Sequence, residues 1–375
     1  MTFRKAAVLG IGLIGGSLAL GLKEKAGLEV YGFDVSESAL KWAESAGVIH
    51  QGHTNLESAV ANADLVVIAV PVGTTPRLME QLAELPLKSN CIVTDVGSTK
   101  GVVTKAGMVF SSRGVTFIGG HPMAGSHRSG VQAADPHLFE NAYYVLTPHQ
   151  ETSLFQVQRL SRLLEKATGA KLVLMDPEHH DRVVGAISHL PHVVAAALVN
   201  QVGRYNEENE WFFRLAAGGF RDLTRVAGSH PLMWRDILLS NRDAVVQLLD
   251  DWIRDMQEIQ SAVKHRDSER IEWFFQNAKT LRDKLPDRKK GILTEEYDCY
   301  VNMPDHPGEI GKVATLVGEA GCNLSNLHVM ENREATQGVL RLVFRDREEL
   351  ERAVNRLRQS GYEVFLIEEE NQEKK

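Results

Sequence analysis

The residues best suited to chemistry begin near the start of the chain. Gly10-Ile11-Gly12-Leu13-Ile14-Gly15 follows the apolar run Ala6 to Leu9, and a second apolar stretch, Glu29 to Phe33, ends on Asp34. The glycines differ in what they permit. Gly10 allows a tight turn, Gly12 lets backbone approach a pyrophosphate, and Gly15 lets a helix pack on a strand. The helix start presents N–H donors and the positive end of a dipole to phosphates. Asp34, about twenty residues past the glycines, is placed to accept hydrogen bonds from both ribose hydroxyls. An acid there repels a 2′-phosphate, so the unit points to NAD over NADP. A lone glycine motif would as readily be a ligand-free turn. The complete strand, turn, helix, strand and acid favour the dinucleotide, with Leu13, Ile14 and Val70 as further cofactor contacts.

Other stretches carry polar chemistry. Gly119-Gly120-His121-Pro122-Met123-Ala124-Gly125 follows an apolar run, so His121 is placed as a hydrogen-bonding or proton-accepting group at a reacting carbon. Its glycines would let a bulky substrate or a nicotinamide approach the main chain. Ser98 can hold the imidazole, or cap a helix beginning near Thr99, or both. Ser188-His189-Leu190-Pro191-His192 sets two histidines three apart, with His179 and His180 nearby. A metal site is disfavoured because no cysteine or helix-paired glutamate completes it. Gly218 to Arg225 offers two arginines four apart, suited to a carboxylate, with a surface ion pair as the plain alternative. Trp234, beside Met233, reads first as core.

These residues need elements to position them. Short apolar runs at Leu65–Val70, Cys91–Val96, Val115–Ile118, Tyr143–Leu146 and Leu172–Met175 alternate with helical segments, which predicts an α/β, Rossmann-type doubly wound, mostly parallel sheet. Ligands in such sheets lie beyond the carboxyl ends of the strands, where Ser98 and His121 fall. From Asp176 the strand pattern stops and an all-helical segment follows, with Pro191 expected to kink its first helix. Past a charged linker at Pro286 to Gly291, the order βαββαβ predicts a small ferredoxin-like domain. The expected domains are 1–176, 177–286 and 296–368.

With 375 residues, 43% of them apolar, the chain can build several cores. A net charge of −7 and a pI near 6.1 give no reason to expect nucleic acid as a partner. Three scattered cysteines suggest neither disulfides nor a zinc knuckle. With no leader and no membrane span expected, the reading is a cytoplasmic protein, and the apolar helical segment suggests a homodimer or higher homo-oligomer.

The glycine loop, Asp95 to Lys100, His121 to Gly125, Ser188 to His192, Gly218 to Arg225 and Met233-Trp234 together resemble the prephenate dehydrogenase family, in that family's order, over residues 1 to about 285. Met303 to Gly308 and Gly321 to Asn326 resemble an ACT domain, an amino-acid-sensing module. The resemblance implies oxidative decarboxylation of prephenate with NAD. It implies that His121 polarises the 4-hydroxyl and Ser98 supports it, while Arg225, Ser188, His192, Gly218 and Trp234 meet the substrate, Trp234 from a dimer partner. Some members carry a glutamate where this chain has His127. The resemblance also implies L-tyrosine as effector at Asp305, Pro307, Gly308, Asn323, Leu324, Ser325 and Asn326, taken as two loops. Arogenate dehydrogenase is the alternative enzyme, and a non-catalytic NAD- and amino-acid-sensing regulator the alternative class.

Overall fold

The computed structural model describes residues 3–125, 128–285, 297–304, 306–330, 337–344 and 346–366. His127, Asp305 and the Pro286 to Gly291 linker lie outside the described residues. Met1–Asp287 form one compact unit and Arg288–Lys375 a second.

In the first unit, β1 (Lys5–Leu9), β2 (Glu29–Phe33), β3 (Gln51–His53), β4 (Leu65–Ile68), β5 (Ile92–Asp95), β6 (Thr116–Pro122), β7 (Tyr143–Pro148) and β8 (Lys171–Leu174) form one sheet. Its order is β3-β2-β1-β4-β5-β6-β7-β8. Neighbours pair in parallel except β6 with β7, which run antiparallel. β4 is apolar throughout and β1 is apolar after Lys5 because both faces are covered: Ala6 and Val8 face one buried cluster, Ala7 and Leu9 the other. The strand order reverses between β1 and β4, which is where such a sheet opens a crevice. Gly10 and Val70 stand at the carboxyl ends of those two strands.

The helical part of this unit starts at Pro177–Val184, whose Asp176 cap accepts the His179 N–H at 2.9 Å. A π-helical turn, Gly185–His189, leads into Leu190–Glu208. The disturbance expected at Pro191 is thus taken up as a π turn just before it. Among the described residues, Pro177–Glu208 is long and apolar enough to cross a membrane. Val183 to Gly203 is uncharged, which corrects the expectation that no run reaches span length. Here the run belongs to a helical bundle: His189 is buried and bonded to Asn241, and Gly185 lies against Leu248 of the Arg242–His265 helix.

The second unit is the expected βαββαβ: β9 (Tyr297–Pro304), a helix (Glu309–Glu319), β10 (Leu324–Met330), β11 (Gln337–Phe344), a helix (Arg347–Gln359) and β12 (Glu363–Phe365). The sheet order is β10-β11-β9-β12 and all pairs are antiparallel. Both helices cover one face over a core of Val301, Leu340, Val313 and Leu357.

At Gly15 a Cβ would run into the Gly10 carbonyl, with Ala69 Cβ 3.0 Å away, and main chain cannot move aside as a flexible side chain could. Gly15→Ala should therefore destabilise the first unit by ~1–3 kcal/mol, as overpacking does. A thermal unfolding scan checks this, and an unchanged melting temperature would refute the contact.

Candidate active site

The glycine loop fits a dinucleotide. Gly10 has φ +99° and a Cβ there would strike the Ala69 carbonyl at 2.5 Å, so only glycine makes this turn. At Gly12 a Cβ would meet nothing within 4 Å, leaving the open approach that a pyrophosphate needs. Gly12 is also the N-cap of the Leu13–Leu20 helix, and no side chain there takes its first N–H groups. Asp34 accepts the Ile11 N–H at 2.8 Å on one oxygen and the Ser36 N–H at 2.9 Å on the other. Those bonds lock the acid against the loop and leave each oxygen a lone pair for a ribose hydroxyl.

Two strands along, Asp95 and Lys100 form an ion pair with no exposed side-chain surface. Lys100 Nζ also donates to the Gly120 carbonyl at 2.7 Å, and Asp95 accepts the Gly97 N–H at 2.8 Å and the Gly120 N–H at 3.1 Å. This pair clamps β6 from beneath. A Cβ on Gly120 would lie 2.6 Å from the Asp95 carbonyl, and one on Gly119 2.4 Å from Thr147 Oγ1. These glycines are required by the wall they pack on, not by a substrate approaching the main chain, as the sequence reading had it. Gly125 alone of the three has open space.

His121 lies within β6, half-buried. Its Nδ1 is 2.9 Å from Nε2 of His180, and Nδ1 of His180 is 2.8 Å from Asp181 Oδ1. The same carboxylate receives the Lys100 N–H and the Gly101 N–H, both at 2.7 Å. Asp181 therefore caps the Gly101–Gly107 helix, which starts two residues later than expected, and Ser98 is not its cap. The imidazole contact expected of Ser98 is made by His180, while Ser98 sits half-buried between β5 and that helix. Burial, followed by the neighbouring His180, Lys100 and His189, holds the His121 pKa well below the ordinary histidine range.

A second cluster of aromatic rings lies in the helical part. His189 is buried, takes the Asn241 side-chain N–H on Nδ1 at 3.0 Å, and has its pKa lowered to about 4, chiefly by burial. His192 donates from Nδ1 to the Ser188 carbonyl at 2.7 Å, at the π turn. Trp234 stacks on the His192 ring of its own chain at 3.8 Å and meets His189 edge-on at 5.9 Å. Trp234 thus packs against two histidines of its own chain. Burial, then Arg225, lowers the His192 pKa against the pull of the Ser188 carbonyl, so Arg225 is electrostatically within reach of the cluster. Arg225 and Gly218 are exposed, Gly218 opening the Gly218–Thr224 helix and Arg225 the 3-10 turn beyond it. Among the described residues no trio of His, Cys, Asp or Glu is arranged to hold a metal.

The sequence reading missed His180 and Asp181 as parts of this site, and with them Asn241 and the Asp95–Lys100 clamp. The His180-Asp181 pair, a polar couple early in a helix, was visible. What it meets, 59 residues back along the chain, was not.

In the second unit the expected effector loops separate. Gly308, at φ +92°, precedes the Glu309–Glu319 helix. Leu324, Ser325 and Asn326 are not a loop, since β10 begins at Leu324. The Asn326 side chain accepts the next N–H, of Leu327, at 2.8 Å, and the Asn323 N–H reaches Glu349 at 3.4 Å. A groove on this unit is lined by Gly308, Gly311, Lys312, Thr315, Ser360 and Tyr362. Of the expected residues it includes Gly308 alone.

A crevice at the strand-order reversal, an open glycine loop with its acid, and a neutral histidine near the carboxyl end of β6, on the same edge of the sheet, define an NAD-dependent dehydrogenase. Residues 18–174 match the prephenate dehydrogenase nucleotide-binding domain and residues 176–277 the prephenate dehydrogenase dimerization domain. A prephenate dehydrogenase of Bacillus subtilis is 44% identical over 362 residues, covering 96% of this chain and 97% of its own length. The crystal structure of prephenate dehydrogenase from A. aeolicus, in complex with hydroxyphenyl propionate and NAD+, superposes with a TM-score of 0.71 at 30% identity, over 76% of this chain and 99% of that one. The Synechocystis arogenate dehydrogenase structure has a TM-score of 0.66 at 31% identity, over 75% of this chain and 99% of that one. The chain belongs to the prephenate dehydrogenase family.

A neutral His121 can accept a proton and a protonated one cannot. Because its pKa is depressed, kcat/KM should hold steady as pH falls through ~6.5, where an ordinary histidine titrates, and decline only in more acid solution. A pH–rate profile checks this. A half-maximal loss centred near that ordinary value would contradict the lowered pKa of His121.

Proposed function

We propose that the chain catalyses NAD-dependent oxidative decarboxylation of prephenate to 4-hydroxyphenylpyruvate, as a cytoplasmic homodimer inhibited by L-tyrosine. The observation that carries the reading is His121, kept neutral near the carboxyl end of β6, together with the His189, His192 and Trp234 cluster that lies within electrostatic reach of Arg225. NAD, when bound, supplies the two-electron acceptor. Gly10, Gly12, Leu13, Ile14, Gly15, Asp34 and Val70 would hold it. Arg225, with Gly218, Ser188, His192 and Trp234, would bind the substrate's carboxylates and side chain. His121 polarises the 4-hydroxyl as the ring carbon beneath it is oxidised, and Ser98, whose expected imidazole contact His180 makes, would meet the cofactor. The ring carboxylate leaves as CO₂ and its bonding electrons complete the aromatic ring, so the protein's work is orientation and charge placement. We assign residues 1–176 to cofactor binding, 177–286 to substrate binding and dimerisation, and 296–368 to regulation.

The likeness to an arogenate dehydrogenase keeps that substrate as the second reading, since the two differ by an amino group in place of a keto oxygen. Purified enzyme should form NADH with prephenate, and faster than with arogenate. With NADP in place of NAD, kcat/KM should fall in the parent and recover in Asp34→Ala, where the repelling carboxylate is gone. No turnover of either substrate would overturn the assignment, and equal use of both cofactors by the parent would overturn the role of Asp34.

For tyrosine, support comes from the βαββαβ fold and from the groove beside Gly308, where the start of the Glu309–Glu319 helix can receive a carboxylate. Inhibition requires that tyrosine favour one arrangement of the enzyme over another. A chain ending at residue 287 should remain active and lose tyrosine inhibition. Undiminished inhibition of that shorter chain would place tyrosine at the active site instead.

A further inference from the structure

We infer that His180 and Asp181 are positioning residues that set the tautomer of His121, leaving its Nε2 without a proton as the acceptor for the substrate hydroxyl. The inference rests on the dehydrogenase reading above and deepens it. Its first link is Asp181, whose two oxygens receive the Lys100 and Gly101 N–H groups. Toward His180 Nδ1, 2.8 Å away, that carboxylate is an acceptor, so Nδ1 of His180 carries a proton. A neutral imidazole has one N–H, so Nε2 of His180 is bare. It faces Nδ1 of His121 at 2.9 Å, and two bare nitrogens do not bond. Nδ1 of His121 therefore carries the proton and Nε2 does not.

The opposite arrangement needs His180 doubly protonated, donating from Nε2 to His121. The surroundings do not support that charge. His180 is 1% exposed, and charging it would bury a second ion beside Asp181, whose attraction would have to offset the desolvation of both. Around it, Asp95 and Lys100 neutralise each other. The Asp181 charge is already met by the amino-terminal end of the Gly101–Gly107 helix. The other groups facing His121 are the Lys100 ammonium and His189, and neither favours a second cation there.

The test uses full-length enzyme labelled with 15N in its histidine rings. In the parent at neutral pH, His121 should show a protonated Nδ1 and an unprotonated Nε2. His180→Phe removes the acceptor and should release His121 to the other tautomer. Its kcat should fall by roughly tenfold or more with the KM for NAD little changed. His180→Gln keeps an oxygen that can accept from Nδ1–H, so it should retain the parent tautomer and most of kcat. If His180→Phe does not fold, the glutamine variant decides alone, because a folded His180→Gln that loses kcat contradicts the inference. An Nε2–H tautomer of His121 in an active parent also overturns it. The expected tautomer in a parent that forms no NADH with prephenate would sink the functional reading and leave the relay standing.

Discussion

The site depends on one carboxylate. Asp181 belongs to the helical part of the first unit, yet its oxygens take the first N–H groups of a helix in the sheet part, at Lys100 and Gly101. Through His180 it also reaches the imidazole of β6. A single side chain thus ties the start of the Gly101–Gly107 helix, the Pro177–Val184 helix and the reacting histidine into one frame. Charge-assisted bonds of this kind are short and directional, and they are stronger than neutral ones. If Asp181 moved, the helix would lose its cap and His121 its support at once.

Beneath that frame lies the Asp95–Lys100 pair. Breaking a buried pair by removing one partner typically costs ~3–5 kcal/mol, because the survivor is left charged and unsolvated. Here the pair also bonds the backbone of Gly120 on both its N–H and its carbonyl side. It therefore fixes the strand that carries His121 one residue further on. The same ammonium helps keep His121 neutral, after burial and His180. Packing and electrostatics act on the one residue together.

Much of this was legible in the sequence because it is local. The glycine loop and Asp34 lie within thirty residues and follow from the geometry of a single strand–helix–strand unit. The βαββαβ order at the carboxyl end was legible for the same reason. Illegible were contacts between distant segments: His121 with His180, Lys100 with Asp181, Asn241 with His189. Ser98 reads as a cap because nothing nearby in the sequence competes for that role. The residue that does the capping is 81 positions away from Lys100. Likewise Gly119 and Gly120 look like room for a ligand, when the room is taken by Thr147 and Asp95. A residue type announces what it can do, but burial and long-range partners decide what it does.

The central claim is that His121 stands neutral in a buried frame shared by the sheet and the helical segment. The direct measurement is an NMR titration of the His121 ring Cε1–H in the full-length enzyme. An unperturbed histidine ring moves through its transition near ~6.5. The His121 resonance should stay still through that interval and shift only in more acid solution. A His121 ring that titrates in that ordinary range would contradict the account.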